Sequence, residues 1–140
     1  MIELAFLQAK MSADSGGLPI GSVLTRGERI LGAGHNRRVQ EGDPIAHGEM
    51  DALRKAGRQK TYADTTLYTS LSPCMMCSGT IIQFKIPRIV VNDTDNFGGN
   101  EAFLKQQGVT VIEARHAASI SLMKDFIECN PALWNEDIME

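Results

Sequence analysis

Apolar positions along the chain switch between helical and strand-like periods, and glycine or proline marks most of the switches. Ile2, Phe6, Ala9 and Ala13 recur at helical spacing and Gly16-Gly17 ends the run, which predicts a helix over Ile2–Ser12. Gly21–Thr25 and Arg29–Ala33 flank Arg26-Gly27-Glu28 as the arms of a β-hairpin, and Asn36–Pro44 reads as polar loop. A second helix is predicted from near Ile45 to Gly57, with Met50, Leu53 and Ala56 on its apolar side. Thr65–Leu71, rich in β-branched and aromatic residues, predicts a central strand that runs into a helix over Cys74–Lys85. Arg88–Asn92 and Val109–Glu113 predict further strands, and Glu101–Gln107 and Ala118–Glu128 further helices. A hairpin followed by alternating strands and helices predicts an α/β fold whose sheet is largely parallel beyond the hairpin. Neither a repeat nor a Pro/Ser-rich linker interrupts the alternation, so a single domain over residues 1–140 is expected.

Composition narrows the setting. Hydrophobic residues at 43% and charged residues at 22% are a globular balance, and no apolar run approaches the roughly 20 residues of a membrane span. Met1-Ile2-Glu3-Leu4 carries an acid and no basic region, so no signal peptide is read and a cytoplasmic protein is expected, with no membrane partner. The net charge of −3 argues against nucleic acid, whose affinity is built from clustered Lys and Arg, and favours a small neutral substrate. Of the 3 cysteines, Cys74 and Cys77 share one Cys-x-x-Cys, and Cys129 lies in an apolar stretch that predicts a buried core thiol.

Chemistry concentrates in His47-Gly48-Glu49 and Pro73-Cys74-Met75-Met76-Cys77. Cys74 and Cys77 at i and i+3 fall on one face of a helix at its first turn, where the positive end of the dipole favours thiolate. With His47 from the start of another helix they make three zinc-type ligands and leave one position open, the mark of a catalytic zinc, one per chain. That position is for water, whose pKa zinc lowers to about 7. Glu49 is the expected proton carrier, although it lies about 200° around the helix from His47. A thioredoxin-like redox pair gives no reason for Pro73 or for His-x-Glu. A structural zinc would need a fourth ligand, and His35 and His116 both read as surface or loop histidines.

His-x-Glu followed by Pro-Cys-x-x-Cys is the signature of zinc nucleobase deaminases. The chain resembles the cytidine-deaminase-like superfamily, and within it the fungal-type cytosine deaminases. The resemblance runs through Leu18-Pro19-Ile20-Gly21, Gly34-His35-Asn36-Arg37, His47-Gly48-Glu49, Asp64 to Cys74, Asn96-Phe97 and Trp134-Asn135-Glu136-Asp137-Ile138. It implies a three-layer α/β/α sandwich with a mixed five-stranded sheet, and hydrolytic deamination of free cytosine to uracil and ammonia, in pyrimidine salvage, by a homodimer. His47, Cys74 and Cys77 match the zinc ligands and Glu49 the proton shuttle. Asn36 matches a side chain that hydrogen-bonds the pyrimidine edge, and Asp137 a carboxylate near the exocyclic amine. Phe97 and Trp134 match aromatic walls, and Ile20 and Leu71 less specific contacts. The rival readings are a deaminase of guanine or a substituted pyrimidine, a tRNA adenosine deaminase, and a zinc-stabilised scaffold without activity. The acidic Asn135–Glu140 tail is the wrong sign for the tRNA reading, and a scaffold has no use for Glu49.

Overall fold

The structure, a computed structural model, describes residues 1–140. In chain order the elements are α1 (Ile2–Asp14), β1 (Gly21–Arg26), β2 (Arg29–His35), α2 (Arg38–Glu41), α3 (Gly48–Ala56), β3 (Thr65–Thr69), α4 (Met75–Gln83), β4 (Arg88–Val91), α5 (Glu101–Gln106), β5 (Thr110–Glu113), α6 (Ala117–Cys129) and α7 (Pro131–Ile138). The sheet order is β2-β1-β3-β4-β5. β1 runs antiparallel to both β2 and β3, while β3, β4 and β5 are parallel. The hairpin, the central position of Thr65–Thr69 and the parallel remainder all follow the sequence pattern.

Glycines on the hairpin let helices approach both faces of the sheet. A Cβ on Gly21 would meet the α1 backbone at Ala5 and Ala9, whereas a Cβ on Gly34 would meet Asp51 and Ala52 of α3. Gly34 pairs with Ser22, and neighbouring strand residues point to opposite faces, so α1 and α3 lie on opposite sides of the sheet. Three layers follow from this alternation. The main core fills one side of the parallel half with Leu24, Leu67, Ile81, Ile89, Val91 and Leu104 among its buried members. A second cluster, Leu18, Ile20, Leu71, Met123 and Trp134, sits where β1 begins and β3 ends.

Several expectations need correction. The buried stripe of α1 is Ala5, Ala9 and Ser12, which keeps Ala9 of the predicted stripe but replaces Phe6 and Ala13 by their preceding neighbours, because only small residues fit where the helix crosses Gly21. Asn36–Pro44 contains the short helix α2, closed by Gly42 in the left-handed region at φ 63°. α3 begins at Gly48 and α4 at Met75, so His47 and Cys74 are capping residues and not part of the helices. Cys129 is exposed at the end of α6 and is no core thiol. His35 is buried at the end of β2 with Nδ1 against the Asn36 carbonyl at 2.9 Å, not a surface residue. His116 caps α6 and contacts Glu3. The helix α7 was not predicted, although Asn130-Pro131 is a helix-start signal in which proline takes the first position. No helix is long and apolar enough to cross a membrane.

Candidate active site

Two helix N-termini converge where the second cluster meets the ends of β1 and β3. His47, in extended backbone at φ −71° and ψ 162°, precedes α3 and its carbonyl accepts the Asp51 N–H at 2.9 Å. Cys74 is likewise extended, and its sulfur accepts the Cys77 N–H at 3.5 Å, the bond that caps α4. Capping places both residues before the helical spiral, which is how residues from separate elements come to face each other. His47 Nδ1 stands 3.5 Å from Cys74 Sγ, and one donor atom each from His47, Cys74 and Cys77 lie within 4.8 Å of one another. Ligands about 2.1 and 2.3 Å from a tetrahedral zinc would stand roughly 3.6 Å apart, so this donor set fits the metal in spacing as well as in chemistry.

Without a metal, the three donors hold their protons very differently. The Cys77 thiol, the His47 ring and the α4 N-terminus hold Cys74 down to about 4, a thiolate at neutral pH. Cys77 is pushed far up by its bond to Cys74 and by burial. Burial works against a charged His47, but the Cys74 bond and the charges of Glu49 and Asp137 outweigh it and hold the ring up to about 9. Glu49 is 3% exposed, and burial and the Cys74 thiolate raise its pKa. Its Oε1 accepts the Thr69 hydroxyl at 3.3 Å and its Oε2 the Cys77 thiol at 3.4 Å. So the backbone at the start of α3 brings Glu49 to the metal donors despite the unfavourable angle from His47.

Ile20, Leu71, Phe97, Trp134 and Ile138 wall a cavity that Glu49, His47, Cys74 and Asp137 also reach. The Phe97 and Trp134 rings meet edge to face at 5.8 Å. The cavity leaves only about 20 Å³ for the centre of a water-sized molecule, while the open groove outside it, which shares Phe97, Asp137 and Ile138, leaves about 540 Å³. Asp137 Oδ1 lies 3.7 Å from His47 Nε2 and 3.8 Å from Arg38 Nε, and has no hydrogen-bond partner. Burial raises the Asp137 pKa against the pull of those two cations. Asn36 is fully buried behind the walls and does not line the cavity: its Oδ1 accepts the Arg38 N–H at 3.0 Å and its Nδ2 is unpartnered. Ser72, whose hydroxyl donates to Glu101, and Ile138 line the cavity without having been given a role from the sequence, though both lie within segments that carry the resemblance.

A model of the cytidine and deoxycytidylate deaminase zinc-binding region matches residues 1–93, which include every donor above. The chain belongs to this deaminase family. It is a zinc-dependent hydrolytic enzyme by that membership, and the cytosine deaminase of Candida albicans is 46% identical over 142 residues, covering 99% of this chain and 95% of that protein. A tRNA-specific adenosine deaminase of Buchnera aphidicola is 35% identical over 137 residues, covering 96% of this chain and 89% of its own. Among solved structures, a tRNA:A34 deaminase superposes with a TM-score of 0.77 at 27% identity, over 86% of this chain and 96% of that one. The guanine deaminase of Nitrosomonas europaea reaches 0.78 at 21% identity, over 91% and 83%, which is a likeness of fold. The mixed five-stranded sheet is thus that of the deaminase family, as the resemblance implied.

Proposed function

We propose that this deaminase hydrolyses free cytosine to uracil and ammonia, with His47, Cys74 and Cys77 holding one zinc and Glu49 carrying protons. The observation that carries the choice of a free base is that Trp134, Asp137 and Ile138 of α7 line the same cavity as Glu49 and close it, so a sugar on the ring would hold that cover open. The similarity to a cytosine deaminase along almost the whole chain supports the ring.

A zinc held by the three donors would lower the pKa of a water toward neutrality. Glu49 takes one proton of the water and gives it to the ring nitrogen as the oxygen adds to the amine-bearing carbon, then takes the second from the new hydroxyl and gives it to the amine as the C–N bond breaks and ammonia leaves. Its raised pKa suits that exchange, since a group far below neutral would not hand the proton on. Asn36 Nδ2 and Asp137 Oδ1 have no close hydrogen-bond partner, yet the Asn36 amide is near enough to pull the Asp137 pKa down, so a donor and an acceptor stand side by side at the site. A ring acceptor on Asn36 Nδ2 and the exocyclic amine on Asp137 Oδ1 would satisfy both, and a base lacking either leaves a buried group unpaired at a cost of about 1 to 3 kcal/mol. Phe97 and Trp134 exclude water from the ring, and Ile20 and Leu71 complete the wall. A homodimer acting in cytoplasmic pyrimidine salvage goes with this reading.

The test is ammonia release from cytosine, guanine, cytidine and adenosine-containing RNA by protein of measured zinc content. Cytosine is expected to turn over fastest, and preferential release from guanine or RNA would replace the reading.

A further inference from the structure

Arg38, the first residue of α2, carries a guanidinium whose side chain is only 9% exposed and which faces α7. Nη2 donates to the Glu136 carbonyl at 3.3 Å, Nη1 lies 3.5 Å from the Glu136 carboxylate, and Nε lies 3.8 Å from Asp137. Besides these, only His47 and the Asn36 amide, both at Asp137, make polar side-chain approaches between α7 and the rest of the chain. The backbone N–H of the same arginine is held by Asn36 Oδ1, which leaves Asn36 Nδ2 free. One residue therefore ties the cover of the cavity to the side chain behind it.

A cavity of about 20 Å³ admits a water and not a six-membered ring, so α7 must swing out for a base to enter or leave. The Arg38 contacts exist only while α7 is down, so they bias that equilibrium toward the closed form. We propose that Arg38 is the latch of α7: a positioning residue that sets how often the cover opens and holds Asp137 and Asn36 where a base meets them. The kinetic part rests on the cytosine reading proposed above, but the latch itself can be read without substrate, because Trp134 on α7 is the only tryptophan of the chain and is 7% exposed.

The experiment compares wild type with R38M, which keeps the apolar stem, and R38K, which keeps one charge. Acrylamide quenching of Trp134 in the base-free protein is expected to rise about threefold in R38M, with R38K between, as the open population grows. With cytosine as the probe, KM is expected to rise about tenfold while kcat is unchanged or higher, because opening and release become easier. Wild-type quenching in R38M, or a fall in kcat with KM unchanged, would overturn the latch. If the wild type does not act on cytosine, the substrate reading fails and quenching alone decides the latch. Where R38M does not fold, R38Q carries the same two outcomes.

Discussion

Glu49 is the residue on which the chemistry turns, and its surroundings make a clean substitution available. Gln at this position keeps the size of the side chain and an oxygen to accept the Thr69 hydroxyl, but cannot take a proton. Glu49→Gln is expected to retain zinc and fold while ammonia release falls by about 100- to 10,000-fold or more, since several transfers depend on it. Elemental analysis with the rate checks this, and a near-normal rate would remove Glu49 from its role. The metal donors give a second prediction. In the metal-free protein at neutral pH, Cys74 is thiolate with a pKa of about 4, His47 is protonated with a pKa of about 9, and Cys77 is a thiol. Zinc must therefore displace one proton from His47 and one from Cys77, so affinity rises with pH, about hundredfold per pH unit near neutrality. Above about 9 the His47 proton no longer contributes, and below about 4 that of Cys74 joins. Calorimetry in buffers of different ionisation enthalpy is expected to count about two protons per zinc at neutral pH, and a count near zero would refute the protonation states.

Elements place these residues, and some were legible because their signals are local. Alternating Thr65, Leu67 and Thr69 point inward as a two-residue period requires, and Gly57 ends α3 as expected. The exact caps were not legible: helical spacing alone puts His47 and Cys74 inside the first turn, and only backbone angles reveal that they stand before it. Cys129 was misread because apolar neighbours in sequence say nothing about which face of α6 meets solvent. α7 was hidden because the side chains it buries most, Trp134 and Asp137, are one apolar and one charged and make no apolar stripe. Glycine positions give the test at this scale. A Cβ at Gly32 would meet Ala52 O at 2.3 Å and Ala56 N at 2.5 Å, backbone that cannot turn aside, so Gly32→Ala must push α3 from the sheet. A loss of about 1 to 3 kcal/mol is expected, and because α3 follows His47 and carries Glu49, zinc content should fall with it. Gly79→Ala on the exposed side of α4 meets nothing within 4 Å and is expected to stabilise the protein by about 0.5 to 1 kcal/mol with zinc unchanged. Thermal melts with zinc analysis separate the two, and equal behaviour would show that the approach of α3 does not set the site.

At the scale of the molecule, the path to the site decides what the enzyme accepts. Sheet class could be read from the sequence, since the hairpin and the later alternation force a mixed sheet, but the convergence of α3, α4 and α7 on one cavity depends on contacts between residues as distant as Arg38 and Glu136. That convergence leaves a substrate two barriers. The first is steric: α7 covers the cavity, and a ribose on the ring would occupy the space of Trp134 or Ile138. The second is electrostatic: Glu136 is 58% exposed beside that cover, Asp137 lies beneath it, and the chain is net −3, so a phosphate backbone meets repulsion where an RNA-acting surface needs Lys and Arg. Truncation after Asn130 removes both barriers at once, because the cover and both acids lie on α7. The intact protein is expected to deaminate cytosine and to leave cytidine and an anticodon stem-loop essentially untouched. The truncated protein should lose most cytosine turnover, through the loss of Asp137 and of the water-excluding wall, while its preference for cytosine over cytidine narrows. Equal rates on cytosine and cytidine with α7 present would refute the steric barrier, and an undiminished cytosine rate without α7 would show that Trp134 and Asp137 take no part in holding the base.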